Sequence, residues 1–450
     1  MGCFRLGKAE KNGSKIQISS GISTFVGDRP GTDLFRVMYN GEMEKIYDTI
    51  IIGGGAAGLI AAVECKRLGQ DILLIERNPR PGKKIALTGK GRCNVTTLNY
   101  DLKDLISKYQ RNGKFLYGAF SRFTVKDTIK YFEDTLKIKL KIERGNRVFP
   151  QSDKAVDVIY ALQKEIIDDI LPNTSVLNFK TDGKRIDSVV TYKGEFKAKR
   201  YILATGGKSY PLTGSNGDGY TLAQSVGHTI IEPKPALVPV ICKERWIKRL
   251  EGLSLLNVKI TALQKEKQIV SRFGEALFTH QGMTGPIVID MSRYIGDALE
   301  KGDVQLSIDF KPALTKDVLD KRVISDFHIY RNKVFKNSLK RLLPSSLIPV
   351  VIELSGIDPE KKVAEISKDE RLRLVNLLKD FRLTVLKLDS WNKAIVTAGG
   401  VSIKEIDSTT MKSKLIENLY FAGEMIDVYG PTGGYNLQIC WSTGILAARS

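Results

Sequence analysis

The stretch from Tyr47 to Glu76, YDTIIIGGGAAGLIAAVECKRLGQDILLIE, restricts the fold of this chain more than any other. It reads as strand, glycine turn, helix, short turn and second strand, ended by an acid. Gly53, Gly55 and Gly58 fall in G-x-G-x-x-G register. The first glycine allows a tight turn, the second lets the backbone approach a pyrophosphate, and the third lets the helix pack close to the strand. The helix N-terminus adds free N–H groups and the positive end of its dipole. Glu76 is spaced to accept hydrogen bonds from an adenosine ribose. A glycine fingerprint alone is weak evidence. Here the strand before it, the apolar helix after it and the acid at the right distance together specify a dinucleotide site.

A chain of 450 residues has room for two or three domains and a large core. Its content, 42% hydrophobic and 27% charged, is that of an ordinary globular protein. No apolar run reaches the ~18–20 residues of a membrane span. Lys and Arg outnumber Asp and Glu by 70 to 50, a formal charge of +20. That charge permits nucleic acid or an anionic surface as partner. No RNA- or DNA-binding module is readable, so a basic surface around an anionic cofactor and a small-molecule substrate is the simpler reading. The five cysteines, Cys3, Cys65, Cys93, Cys242 and Cys440, contain no CxxC pair. They indicate neither a thioredoxin-type centre nor a metal site, and scattered thiols fit a cytoplasmic protein.

Residues 1–44 are rich in Gly, Ser, Asn and Lys without sustained periodicity, and are expected to be a disordered extension. They lack the apolar region of a secretory signal, and Leu6 stands where a myristoylation site needs Ser or Thr. The first part of a nucleotide-binding domain is expected over 45–234. Composition then changes: 235–310 is strand-rich, 311–389 is basic and helical with leucines for small helices around their own core, and 390–450 returns to strands and glycines. One nucleotide-binding domain interrupted by a long insertion is the expected organisation.

Further glycine turns follow strands. Thr205 and Gly206 end one, in RYILATGG, and Gly423 and Glu424 end another, in NLYFAGE. The latter leads through YGPTGGYNLQ to an apolar helix at the C-terminus. A phosphate-binding turn near the N-terminus and a second glycine-rich strand end near the C-terminus suit a large cofactor lying across the sheet, and FAD is such a cofactor.

The chain resembles the bacterial FAD-binding oxidoreductases called BaiN/RdsA-like or aminoacetone-oxidase-like, also known as NAD(FAD)-utilising dehydrogenases. The resemblance covers about Tyr47 to Ser450 and rests on IIGGGAAGLIAA, GKKIALTGKGRCNVT, RVFPQSDKAVDV, ILATGGKSYPLTGSNGDGY, FTHQGMTGP, TAGGV and FAGEMIDVYGPTGGYNLQ. It implies an α/β fold: a doubly wound, glutathione-reductase-like FAD domain with an inserted β-barrel lobe (235–310) and helical lobe (311–389). It implies that Ala57 and the fingerprint glycines hold the pyrophosphate, and that Glu76, with Arg77 beside it, takes the adenosine ribose. Lys84, Thr88, Gly91, Arg92, Cys93 and Asn94 would line the loop along the cofactor, and Val176 would pair with adenine through its backbone. Gly423 and Glu424 would lie by the ribityl and phosphate region, where related flavoproteins often have Gly-Asp. Gly434, Tyr435, Asn436 and Leu437 would present backbone N–H groups to the flavin. A helix N-terminus there would stabilise the negative charge of the reduced ring.

Three residues are candidates for catalysis: His280 in FTHQGMTGP, Arg147 before a Phe-Pro turn, and Cys93. A single histidine is more often structural, Arg147 serves equally in an ion pair, and Cys93 has no partner cysteine in reach. The expected activity is FAD-dependent hydride transfer to or from a small substrate, with NAD(P)H as a transient co-substrate, since no second fingerprint is present. The alternative is a flavin-containing protein that binds or modifies RNA.

Overall fold

The computed structural model describes residues 45–109 and 112–450. It also places four short strands nearer the N-terminus, Ile16–Ile18, Ile22–Thr24, Val37–Tyr39 and Glu42–Glu44, in a small antiparallel sheet. The expectation for 1–44 otherwise falls outside the described residues.

The fingerprint folds as its spacing requires. Strand β1 (Ile46–Ile52) leads into helix α1 (Ala56–Arg67) and strand β2 (Ile72–Ile75). The two strands pair in parallel, Ile50 opposite Leu73 and Ile51 opposite Leu74. Strands β3 (Ile170–Leu171), β4 (Val176–Thr181), β5 (Ile186–Thr191) and β6 (Gly194–Leu203) complete an order β3-β2-β1-β6-β5-β4, with Leu419–Phe421 pairing with β6. Strand β6 changes role along its length. Residues 194–197 close an antiparallel hairpin with β5, while 201–203 lie parallel between β1 and the strand Leu419–Phe421. The C-terminal ends of the parallel strands thereby converge on one edge, where the glycine turns lie.

Helix α1 is buried along most of its length, Ala57 through Cys65. It lacks an amphipathic pattern because it is covered on two sides, by the sheet and by the C-terminal helix. Ile50, Ile51, Leu59 and Ile60 are fully buried there, each worth about 1.5–3 kcal/mol of apolar burial.

After strand β7 (Ile230–Ala236) the chain leaves this domain for a closed barrel. Its strands are β8 (Val240–Cys242), β9 (Ser254–Gln264), β10 (Lys267–Phe278), β11 (Gly282–Thr284), β12 (Val304–Asp309) and β13 (Phe381–Leu388). They close in the order β8-β11-β10-β9-β12-β13, β13 pairing back to β8. Helix α2 (Pro286–Leu299) lies between β11 and β12. Helices α3 (Lys316–Ile329), α4 (Ile348–Ser355) and α5 (Lys368–Lys379) form an excursion between β12 and β13.

The expected lobe boundary differs from this arrangement. The closing strand β13 lies within the segment assigned to helices, and the helices do not keep a separate core. Leu339, Leu343, Leu347, Leu374 and Leu378 pack in one cluster with Ile260, Leu306 and Phe381 of the barrel. The chain returns through β14 (Val396–Val401), antiparallel to β7, and ends in helix α6 (Tyr435–Arg449).

FTHQGMTGP is explained within the barrel. A Cβ on Gly282 would stand 1.9 Å from the Val240 carbonyl oxygen, and one on Gly285 2.8 Å from Ala276 Cα. These glycines bring β11 against β8 and turn the chain into α2, which starts with Pro286 at its first turn.

Candidate functional site: a dinucleotide cleft between two helix N-termini

A cleft of about 1340 Å³ runs across the converging strand ends. One end is lined by Glu76, Arg77, Asn78, Thr174, Ser175 and Val176, the middle by Gly53 to Ala57, and the other end by Ile395, Val396, Val428, Asn436 and Leu437. It thus passes the N-termini of both α1 and α6.

Each fingerprint glycine has a distinct spatial reason. Gly53 has φ +105°, and a Cβ there would meet the Ala204 carbonyl oxygen at 2.7 Å. A Cβ on Gly58 would lie 1.8 Å from the Gly53 carbonyl oxygen, so only glycine lets α1 approach the turn. A Cβ on Gly55 would meet nothing within 4 Å. The protein's own packing does not require glycine at 55, and the missing side chain leaves the backbone there open to close approach. Gly55 caps α1 without a side-chain hydrogen bond, and no acid occupies the first turn. The end of the helix is therefore open to an anion.

Glu76 is buried and holds the turn as well as facing the cleft. Its Oε2 accepts from Gly54 N–H at 2.7 Å, and its Oε1 accepts from Asn78 N–H and Nδ2, both at 2.7 Å. Asn78 also donates to the Thr213 carbonyl at 2.9 Å. Arg77 pairs with Asp218. The segment 213–218 is thereby fastened over this end of the cleft. Asn78 and this segment were missed in the sequence, although the run LTGSNGDGY was visible; what it contacts is set by tertiary structure.

At the other end Lys84 and Glu424 form an ion pair at 2.5 Å. The other oxygen of Glu424 accepts from Ser209 Oγ at 2.6 Å and from Thr397 N–H at 2.9 Å. Glu424 thus binds together three segments that border the cleft. Gly423 stands just behind the lining, its N–H donating to Thr443 Oγ1 at 2.9 Å. Cys440 lines the cleft, and burial pushes its thiol up to about 12.

Of the residues expected at the cofactor, Gly53, Gly55, Ala57, Glu76, Arg77, Lys84, Thr88, Val176, Thr205, Gly206, Glu424, Asn436 and Leu437 line the cleft. Gly58, Gly91, Arg92, Cys93, Asn94, Gly423, Gly434 and Tyr435 stand outside the lining, and most of them shape it. Arg92 pairs with Glu143 at 2.8 Å and lies over the Phe149 ring at 4.1 Å. Cys93 is fully buried with φ +62°, its N–H bonded to the Thr88 carbonyl at 3.0 Å, and burial raises its thiol to about 12.

Asn94 Oδ1 accepts from Gly434 N–H at 3.0 Å, while its Nδ2 donates to the carbonyls of Thr96 and Val148. Thr96 Oγ1 donates to Gln438 Oε1 at 2.6 Å, and Trp441 Nε1 to the Val95 carbonyl at 2.8 Å. GKGRCNVT and GPTGGYNLQ, separated by over 300 residues, therefore dock on each other and fix the start of α6. Gly434 is needed for that docking: its Cβ would stand 2.3 Å from the Thr96 carbonyl carbon. Its amide is engaged by Asn94, and α6 reaches the cleft through Asn436, Leu437, Ile439 and Cys440. Tyr435 packs edge-on to Tyr109, whose hydroxyl donates to the Tyr435 carbonyl.

The three residues considered for catalysis are not brought together. His280 is exposed beside Glu251, at 2.8 Å. Arg147 Nε donates to the Arg144 carbonyl at 3.0 Å, and Cys93 is enclosed. None lines the cleft. Among the described residues no cluster of side chains could hold a metal ion, and no helix is long and apolar enough to cross a membrane.

The family model described as the HI0933-like protein Rossmann domain matches residues 47–450. The 3-dehydro-bile acid delta(4,6)-reductase of Clostridium scindens is 32% identical over 407 residues, 89% of this chain and 98% of that protein. The ribosomal RNA dihydrouridine synthase of Haemophilus influenzae is 31% identical over 421 residues, 91% of this chain and 99% of that protein. Among solved structures, 3-ketosteroid delta1-dehydrogenase from Sterolibacterium denitrificans superposes with a TM-score of 0.50 at 14% identity. The match covers 90% of this chain and 99% of that one, a likeness of fold. The chain belongs to the HI0933-like Rossmann family, on an FAD-binding fold of the kind that flavoprotein oxidoreductases use.

Proposed function

We propose that this protein is an FAD-dependent reductase that saturates a carbon–carbon double bond conjugated to a carbonyl group. The observation that carries the cofactor assignment is the cleft itself. It is long, it passes two helix N-termini, and it leaves Gly55 open where only a ligand would require glycine. The adenosine end, built by Glu76 and Val176, gives a reason for FAD over FMN, which has no adenosine half.

The class of bond comes from the two full-length relatives. A 3-dehydro-bile acid with delta(4,6) unsaturation and a uracil ring both carry a double bond in conjugation with a carbonyl, and each named reaction removes one. When bound, FAD would supply hydride chemistry, with NAD(P)H as a transient donor of the hydride and a proton from solvent completing the saturated bond. The chain's own residues bind, orient and stabilise. The N–H groups of α1 hold the pyrophosphate. Lys84 and Glu424 fasten the segments along the cofactor. The start of α6 at Asn436 and Leu437 favours negative charge at that end of the cleft through its dipole and free amides.

A second reading is supported by the formal charge of +20 together with the dihydrouridine synthase relative: the conjugated bond is that of a uracil in ribosomal RNA. One experiment separates the two. Holoenzyme reduced anaerobically with NADPH or NADH is mixed with a steroid 4-en-3-one or with unmodified ribosomal RNA, and return of the oxidised flavin band is followed. Reoxidation by the steroid supports a small substrate. Reoxidation by RNA alone, weakening steeply with salt, supports the second reading. Failure of both nicotinamides to bleach the flavin removes NAD(P)H as donor.

A further inference from the structure

A second cavity, of about 1790 Å³, lies where the β7–β14 ribbon meets the barrel. It is separate from the lining of the cofactor cleft, although Tyr429 on its wall adjoins Val428 of that cleft. Part of its wall is apolar, from Pro235, Ala236, Leu299, Val385, Leu388 and Ala398. Helix α2 supplies another side through Arg293, Gly296 and Asp297, residues spaced to share one helical face. Gly296 keeps that face low: a Cβ there would stand 3.0 Å from Leu388 Cδ1.

Arg293 is the unusual member of this wall. Its side chain is 7% exposed, and neither Nε nor Nη1 has a hydrogen-bond partner. Its Nη2 donates to Tyr294 Oη at 3.2 Å and stands 3.7 Å from Asp290 Oδ1. Asp290 is held more closely by Arg272, at 2.7 Å. Two guanidinium groups thus share one carboxylate, and Arg293, the more distant of the two, is only partly met by it and by the Tyr294 ring, 4.8 Å away. Buried, incompletely paired arginine is destabilising to a fold unless an anion meets it. With Nε and Nη1 tied to no acceptor, a turn of the guanidinium toward the cavity breaks the Tyr294 hydrogen bond and ring contact and gives up the 3.7 Å approach to Asp290, without breaking any closer ion pair.

We propose that this cavity binds a monocarboxylate carried on an apolar body, with Arg293 holding the carboxylate and the apolar wall holding the rest. A single negative charge is favoured over a phosphate dianion by the other charges of the lining. Lys234, Lys243 and Lys387 are offset by Glu232, Asp297, Glu300 and Asp303, which repel a second negative charge. This assignment does not rest on the reading of the cofactor cleft.

The test is calorimetric titration of FAD-loaded protein with decanoate, with decanol and decyl phosphate as companions. Decanoate is expected to bind more tightly than either. Arg293→Gln is expected to weaken decanoate about tenfold or more, to leave decanol unchanged and to leave FAD content unchanged. Should Arg293→Gln fail to fold, Leu386→Glu serves instead: Leu386 lines the same cavity and is 59% exposed. A carboxylate at the mouth is expected to weaken decanoate and spare decanol. The proposal is overturned if decanoate does not bind, if it binds the variants as it binds the parent protein, or if decyl phosphate binds more tightly.

Discussion

Replacing Gly55 with valine separates cofactor binding from folding, because the two impose different demands at this position. Gly55 has φ −80° and ψ −169°, extended backbone that a β-branched residue adopts readily. Its Cβ would meet no atom within 4 Å. The loss of a favourable cap residue costs about 1 kcal/mol or less. The ligand pays far more. A pyrophosphate kept from two amides loses charge-assisted hydrogen bonds of about 1.5–3 kcal/mol each, which weakens FAD by about 10²- to 10⁴-fold. FAD present at about 1,000 times its dissociation constant stabilises the parent protein by about 4.1 kcal/mol. A thousandfold weaker variant at the same concentration retains about 0.4 kcal/mol. Thermal melts with and without FAD therefore show a large ligand-dependent rise in Tm for the parent and almost none for Gly55→Val, while the apo proteins melt close together. Gly58→Ala is the contrast: its Cβ collides with the Gly53 carbonyl oxygen at 1.8 Å, so the apo protein itself melts lower. An undiminished FAD shift in Gly55→Val, or an apo Tm that falls as far as that of Gly58→Ala, refutes the reasoning.

Other consequences are as open to measurement. Burial raises the thiols of Cys65 to about 11 and of Cys93, Cys242 and Cys440 to about 12. The unfolded chain ionises these groups first, so their contribution is full below pH ~9 and falls as pH rises from there through 11–12. Urea midpoints should decline across that window, and less steeply in Cys93→Ala. Asn94→Ala removes the acceptor of the Gly434 amide and the donor to two carbonyls. Unfolding should become easier by about 1–3 kcal/mol per polar group left buried and unpaired, read in the same titrations; an unchanged midpoint would show that the loop does not hold α6. His280→Ala, at an exposed residue outside the cleft, should leave kcat within about twofold, equivalent to about 0.4 kcal/mol. A loss of tenfold or more would place His280 in the chemistry.

The legible parts of this molecule are those whose cause is local. The spacing of Gly53, Gly55 and Gly58 encodes a turn and a close approach, and the turn follows from those residues alone. Glu76 was legible as an acid at the end of a strand, but its bonds to Gly54 and Asn78 depend on how the turn folds back. GKGRCNVT and GPTGGYNLQ were legible as unusual segments. That they hold each other was not, because Asn94 and Gly434 are 340 positions apart and no local rule pairs them. Arg92 and Gly434 illustrate the same point: each stands beside the cleft and shapes it through a neighbour, Arg92 through Glu143 and Gly434 through the backbone of Thr96. In the insertion, strand β13 reaches the barrel only after three helices, and local pattern does not say which sheet a strand will join. The leucines of the helical segment read as a core of their own because amphipathic spacing marks a buried face without naming what covers it. Arg293 gave no signal at all, since its meaning lies in the partners it lacks.

The central claim, that this protein reduces a double bond conjugated to a carbonyl, is tested most directly by a single-turnover experiment. Protein reconstituted with FAD is photoreduced without oxygen and mixed with a steroid 4-en-3-one, and the flavin band and the steroid are followed together. The account predicts that the oxidised band returns as an equivalent amount of steroid gains two hydrogens across its double bond. A reduced flavin that stays reduced in the presence of both this enone and ribosomal RNA, while remaining bound and reoxidising normally in air, would contradict it.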